Sequence, residues 1–428
     1  MKRNAFVFAL VAIFLELLPG MSRAQEDVLY RFTGRTGIGP TAGLIFDTVG
    51  DLYGTTFAGG AGHCTGYAYD GCGTVFELVP NGSGGWTEKV LYNFADNGID
   101  GINPYGGLVF DAAGNLYGTT EYGGTGTGCD TNFSVGCGTV FKLSPQGNGR
   151  WRETILHDFQ NDGVDGFDPM PGLTIDPSGN LYGTTYSGGS GEYAYGTVFQ
   201  LTPSSSGTWT ETVIHTFDGC CNIDGIRPVG SVILDSSGNL YGTTLGGGEG
   251  FGGTAFELTP VGDGSWTETI LYYFAQVDAP GGELEAGFVM DAAGNLYGSA
   301  FFPSNYADGT VFELSPSSTG LWTETTLYIA KGSVEFQPRP YAGLTFDAAG
   351  NLYGCMSGSG SHKEGFVFEL TPDSGKWNSE VLYNFGSNRQ DGTRPVGTLL
   401  VDASGNIYGT TSGGGGPKDY GTVFEIVH

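Results

Sequence analysis

The chain has 428 residues, with 78 glycines that follow no triplet period and aromatics at 13%. These values exclude a collagen-like or disordered low-complexity chain. A formal net charge of −28 argues against nucleic acid or an anionic lipid surface as a partner, because such a surface repels both.

Residues 1–24 read as a secretory signal peptide. Lys2 and Arg3 precede an apolar run over residues 5–18, broken only by Glu16, and Ser22-Arg23-Ala24 offers small residues for cleavage. The run is short for a membrane span. Its removal moves the net charge to −30 by taking Lys2, Arg3, Arg23 and Glu16. The expected location is therefore exported, periplasmic or extracellular. The mature chain over residues 25–428 carries no other stretch apolar enough to cross a membrane.

From residue 47 onward one signature returns, Asp-x-x-Gly-(Asn/Asp)-(Leu/Ile)-Tyr-Gly. It starts at Asp47, Asp111, Asp176, Asp235, Asp291, Asp347 and Asp402, at spacings of 64, 65, 59, 56, 56 and 55 residues. A fixed period of this size means one supersecondary unit copied in tandem. In the second copy, Leu108-Val109-Phe110 reads as a first strand buried on both faces. Residues 111–115 form a tight turn, with Asp to bond backbone amides and Gly114 to tolerate positive φ. Leu116 to Thr120 is the second strand, Gly138 to Leu143 the third, and Trp151 to Phe159 the fourth, with alternating character. Four antiparallel strands per unit predict an all-β, seven-bladed β-propeller.

The two ends support a closed ring. The last copy stops after its third strand, while residues 26–32 match residues 88–94 of a fourth strand position for position. The N-terminal strand is thus expected to complete the seventh blade and remove an open sheet edge.

Three strings together are Asp-Ala-Ala-Gly-Asn-Leu-Tyr-Gly-Thr-Thr, Gly-Thr-Val-Phe-Glu-Leu-(Ser/Thr)-Pro and Trp-Thr-Glu-Thr-x-Leu-Tyr-x-Phe. This combination resembles the GloVer, or choice-of-anchor, tandem repeat of exported bacterial proteins, over essentially residues 26–428. The resemblance implies an exported or surface repeat protein without established activity, and it brings no catalytic residues. Some relatives carry a C-terminal sorting signal. This sequence shows none after Ile426, which favours a periplasmic or released protein.

Repetition separates scaffold from site. Features present in every copy serve the blade, so the seven turn aspartates read as hairpin formers rather than Ca²⁺ ligands, and the seven motif tyrosines read as packing residues. His157 and His215 stand where other copies have Tyr92, Tyr272, Tyr328 and Tyr383. No His-x-His, His-Glu-x-x-His or Gly-x-Ser-x-Gly motif occurs. No catalytic residue and no resident metal is therefore assigned.

Cys64 and Cys72, and Cys129 and Cys137, form two pairs of equal spacing in lengthened loops between the second and third strands. Disulfides are expected for both. The pairing of Cys220 and Cys221 is open, and Cys355, in a Thr position, reads as a buried thiol.

The binding candidates lie between blades. Asp-Gly-x-x-Pro occurs at Asp100, Asp165, Asp224 and Asp391. With Tyr67, Tyr69, Tyr193 and Tyr195 these would share one face, where carboxylates and aromatics could bind a glycan or a Ca²⁺ ion. An Asx-turn ahead of Pro needs no ligand. Residues 275–285, 299–308 and 331–340 break the pattern, as a recessed binding sector or as drift. The reading is a non-catalytic binding or scaffold module for a polysaccharide or an envelope protein. The alternatives are a polysaccharide lyase or hydrolase using rim carboxylates, or a purely structural surface repeat.

Overall fold

Each signature folds as a hairpin held by its own aspartate. In the second copy, Asp111 Oδ1 accepts the amides of Ala113 and Asn115, both at 2.9 Å, and Oδ2 accepts Asn115 Nδ2 at 2.7 Å and the Tyr117 hydroxyl at 2.9 Å. The same Tyr-to-Asp bond recurs at Tyr53, Tyr182, Tyr241, Tyr297, Tyr353 and Tyr408. The turn aspartates and motif tyrosines are therefore occupied with one another.

The computed structural model describes residues 25–64, 71–129, 136–191, 194–219, 223–275, 283–302, 308–318, 322–333 and 335–427. The leader over residues 1–24, together with Tyr67, Tyr69, Tyr193, Cys220 and Cys221, lies outside them. The described residues contain strands and no helix.

Seven antiparallel sheets build a seven-bladed propeller. Blade one runs from the channel outward as Ile45–Phe46, Leu52–Thr56, Thr74–Pro80 and Trp86–Asn93. Blades two to six repeat this order, with second strands Leu116–Thr120, Leu181–Thr185, Leu240–Gly247, Leu296–Phe302 and Leu352–Met356. Blade seven comprises Leu400–Val401, Ile407–Gly414, Thr422–Val427 and the N-terminal strand Gln25–Arg31. Gln25 pairs with Val427 and Arg31 with Thr422, antiparallel, so the ring closes as the two ends of the sequence imply.

The innermost strands were expected to be buried on both faces. All seven are instead two-residue strands, half-buried throughout. Their inner side lines a central channel, which leaves only one face packed.

The glycine ending each Leu-Tyr-Gly triplet has a steric cause. A Cβ on Gly54 or Gly242 would sit 2.7 or 2.4 Å from the ring of Phe76 or Phe256 on the neighbouring third strand, and Gly118, Gly183, Gly298, Gly354 and Gly409 repeat the approach. The third-strand phenylalanines are all but fully buried. Each lies against an aromatic from the preceding blade: Phe32 on Phe76, Phe94 on Phe141, Phe159 on Phe199 and Phe385 on Phe424, with centroids 4.9–5.1 Å apart and rings edge to face. This packing joins blade to blade.

A second joint is polar. The side chains of Thr55, Thr119, Thr184, Thr243, Ser299, Cys355 and Thr410 donate to the carbonyls of Gly106, Pro171, Gly230, Ala286, Ala342, Gly397 and Ala42 in the next blade. The circle is complete, and its hydroxyl members span 2.8–3.4 Å. Cys355 is the weak member at 3.8 Å, fully buried, with its thiol pushed up to about 12 by burial. Thr243→Val should therefore cost about 1–2 kcal/mol by leaving the Ala286 carbonyl unpaired, whereas Cys355→Thr should gain about 0.5–1 kcal/mol. Denaturant midpoints at unchanged slope measure both. Equal stability of all three chains would remove this circle as a determinant of the fold.

Candidate functional site

Antiparallel strands alternate in direction, so the blade-to-blade connectors and the loops between second and third strands share one face, here called the upper face. Both disulfides form on it, Cys64–Cys72 and Cys129–Cys137, with Cα–Cα distances of 5.4 and 5.2 Å. The connectors pair there with the ends of the second strands, as Gly101–Ile102 does with Tyr122–Gly123. Tyr195 is half-buried on this face, and its amide donates to the Phe217 carbonyl at 2.8 Å.

The four connector aspartates point into the seams between blades. Asp100, Asp165 and Asp391 are buried and Asp224 is half-buried. Asp100 Oδ2 accepts the Tyr92 hydroxyl at 3.1 Å and the Ala95 amide at 3.0 Å. Asp391 Oδ2 accepts the Tyr383 hydroxyl at 3.1 Å and the Ser387 amide at 2.8 Å. Asp165 Oδ2 meets His157 Nε2 and the Gln160 amide, both at 3.0 Å. Asp224 accepts the amides of Asp218 and Gly225 at 2.8 and 2.7 Å.

Six of the seven seams also receive a glutamate from the next blade, the exception being the seam between blades five and six, where Ser379 stands at that position. The Tyr92 hydroxyl lies 2.8 Å from Glu153, and Glu211 and Glu268 close upon the His157–Asp165 and His215–Asp224 pairs. Glu26 sits beside Tyr383 and Asp391, and Glu88 beside Tyr30. These glutamates were not among the sequence candidates. Their signal was the acid two residues after the outer-strand tryptophan, at 88, 153, 211, 268 and 324. A β-bulge in every outer strand, as at Leu156, which is skipped opposite Val140 and Phe141, rephases the side-chain alternation beside the seam.

The second feature of the upper face is the mouth of the channel, a cavity of about 490 Å³. Its innermost turns are nearly all glycine, alanine or another small residue, because a Cβ on Gly106, Gly230 or Gly397 would reach 2.4–2.6 Å from the next blade's backbone. One register position above them varies freely around the ring: Thr41, Tyr105, Met170, Val229, Glu285, Tyr341 and Val396, all lining the cavity. Tyr105 lies edge-on to Phe57 at 6.0 Å. Arg339 reaches the Tyr341 hydroxyl at 3.2 Å and Glu285 at 3.6 Å, and covers the Phe301 ring at 4.6 Å. The crowded mouth desolvates the Tyr105 phenol and raises it, with Glu121, Tyr341 and Glu285 adding to this, although the residue keeps 36% of its surface exposed. Burial likewise raises Glu121 to about 7 and Asp168 to about 6.

The backbone is strained beside the mouth. Asn103, Asp168, Arg227 and Arg394, each just before a connector proline, hold φ of 57–59°. Such a conformation is uncommon outside glycine. Their amides donate to the carbonyls of Cys72, Cys137, Tyr195 and Glu364 at 2.8–3.1 Å. The disulfide cysteines thus fix two of these bends.

Three overlapping matches to the profile of the Gloeobacter/Verrucomicrobia repeat cover residues 20–189, 126–339 and 286–428. The chain belongs to the Gloeobacter/Verrucomicrobia repeat family. No curated protein matches it in sequence. Among solved structures it is similar to a Dyadobacter fermentans protein of unknown function, at 11% identity over 95% of this chain and 100% of that one, with a TM-score of 0.47. It is also similar to a proposed oxidoreductase (glucose dehydrogenase) of Thermus thermophilus, at 15% identity over 94% and 100% of the two chains, with a TM-score of 0.43. At this distance neither likeness speaks to what this Gloeobacter/Verrucomicrobia repeat protein binds.

The seams give the repeat ring a pH dependence. Burial, before any other cause, raises the carboxyls of Glu26, Glu88 and Glu211 to about 7. Glu153 is raised by burial and then by Asp100. A carboxyl raised in the folded chain stabilises it most when protonated. The contribution is complete below the ordinary value of 4.5 and is lost as pH rises through 7. Glu153→Gln keeps a donor for Asp100 but never ionises. Its thermal midpoint should fall less than that of the parent between pH 5 and pH 9, by about 1–3 °C. Parallel curves for parent and variant would show that this acid pair does not shape the pH response.

Proposed function

We propose that the protein is an exported, non-catalytic binding module that takes an envelope polysaccharide at the channel mouth. One observation carries the reading. The sector where the repeat pattern breaks delivers Glu285 to the same mouth that Tyr105 reaches from the opposite part of the ring, and Arg339, seated over the buried Phe301 ring, joins Glu285 to the adjacent Tyr341 there. Residues that every blade shares build the scaffold, and these are the residues the blades do not share. Aromatic rings stack on the apolar faces of sugar rings, carboxylates accept sugar hydroxyl protons, and a guanidinium donates to ring and hydroxyl oxygens.

The disulfide cysteines and the connector aspartates brace the connectors beside this surface. The Asp100, Asp165, Asp224 and Asp391 carboxylates orient the connectors through backbone amides. In this reading they position the mouth, and sugar contact falls to Tyr105, Tyr341, Glu285 and Arg339. The strongly acidic surface, −28 over the full sequence and −30 without residues 1–24, suits a neutral or basic glycan better than an acidic one.

A glycan array probed with the purified chain, with and without chelator, tests the proposal. Retention of a defined polysaccharide should weaken at least about tenfold in a Tyr105→Ala/Tyr341→Ala double variant, the loss of one good aromatic anchor being worth about 1.4 kcal/mol or more. Val396→Ala, on the same ring, should bind as the parent does. Unchanged retention by the double variant would overturn the assignment. Released product would move it to an enzyme, and retention of envelope protein but no glycan would move it to a protein-binding scaffold.

A further inference from the structure

The seams differ in one respect that the fold does not require. In the seam between blades one and two, a phenol joins the two acids, with Tyr92 within 3.1 Å of Asp100 and 2.8 Å of Glu153. Between blades two and three, His157 replaces it and closes on Asp165 at 3.0 Å, an ordinary hydrogen bond. Between blades three and four the same three residue types do not close. His215 Nε2 stands 3.8 Å from Asp224 Oδ1 and 3.5 Å from Glu268 Oε1.

We propose that this seam holds one divalent transition-metal ion of the zinc class, bound by His215 Nε2, a carboxylate oxygen of Asp224 and Glu268 Oε1. The three ligand atoms lie within 4.8 Å of one another. Separations of 3.5 and 3.8 Å are long for a direct hydrogen bond. They fit the edge of a tetrahedron of metal–ligand bonds near 2.1 Å, which is about 3.4 Å. The seam glutamates share an orphaned Oε1, at Glu26, Glu88, Glu153, Glu211 and Glu268, but among the described residues only this seam adds an imidazole nitrogen, His215 Nε2, that is buried without a hydrogen-bond partner, a state that native chains rarely leave uncompensated. A shared cation satisfies that nitrogen and Glu268 Oε1 at once.

Supporting groups surround the set. The amides of Asp218 and Gly225 hold the Asp224 carboxylate at 2.8 and 2.7 Å, and donors of this kind orient metal-binding acids. The His215 ring is braced edge-on by Phe217 at 4.6 Å. Asp218 adds negative charge beside His215 and Glu268. The three ligand side chains keep 19%, 14% and 19% of their surface, which leaves a route for the ion and for a water as fourth ligand. One imidazole among carboxylates favours zinc, cobalt or nickel over calcium or magnesium.

The other seams supply a fold-preserving variant, because tyrosine is what most of them carry at this position. The test uses the chain with Cys220→Ser and Cys221→Ser, so that thiols do not compete for the ion. Zn²⁺ is titrated by equilibrium dialysis and Co²⁺ by its visible absorption, with thermal melts as a check on folding. One equivalent should bind, with a Co²⁺ spectrum of low coordination number. His215→Tyr and Glu268→Gln should each weaken binding at least 10- to 100-fold, the range produced by losing a hydrogen-bond partner of a ligand alone. His157→Tyr should leave binding as it was. No stoichiometric binding, equal binding after His215→Tyr, or loss only after His157→Tyr would each overturn the proposal.

Discussion

Seven side-chain donors reaching seven carbonyls of the next blade hold this ring at its narrowest circle. A propeller blade has no hydrophobic reason to meet its neighbour at the axis, where the residues are too small to bury much surface. The hydroxyls of Thr55, Thr119, Thr184, Thr243, Ser299 and Thr410, with the Cys355 thiol, satisfy there the backbone carbonyls that small residues leave bare. Further out, phenylalanine pairs such as Phe94 and Phe141 supply the apolar part of the same joint. The motif glycine makes both possible. It seats the third-strand ring close against the second strand, and any Cβ there would push the two apart.

Much of this was legible in the sequence because repetition averages out local ambiguity. A single Leu-Tyr-Gly-Thr-Thr could be many things, but seven at a near-constant period leave few architectures. The offset between the first strand and the last blade then fixed the manner of closure. The site was less legible, for a physical reason. Asp100 and Glu153 are far apart in sequence and meet only because the outer strand of one blade lies against the connector of the one before. A reading along one repeat sees an acid in a connector and an acid in a strand, and has no means to place them together. The half-buried inner strands show the converse limit: an apolar run does not reveal whether one of its faces lines a channel.

The same departures from pattern carry different weight in different layers. Where the Thr56–Thr74 type of buried hydroxyl pair is lost in blade six, Met356 and Phe366 fill the space with apolar side chains, and both are buried. Where a connector aspartate is missing between blades five and six, Asp308 instead accepts the Gly332 amide at 3.0 Å and pairs with Lys331 at 2.6 Å. Those changes keep the scaffold intact by other means. At the channel mouth, Arg339 joins Glu285 and Tyr341 and also bridges to Ser357 of blade six. Departures from the repeat there change the chemistry of the mouth while the blades around it stay closed.

The closing strand Gln25–Arg31 also sets the order of events when the chain folds. Its partner Thr422–Val427 lies at the far end of the ring, so this pairing has about the largest sequence separation the chain allows. Loop-closure entropy grows only slowly with length, but contacts this distant form late. Six blades complete themselves from neighbouring sequence, while the seventh waits for both ends to meet. Until then two sheet edges stand open, and the nascent molecule is at its most vulnerable to self-association.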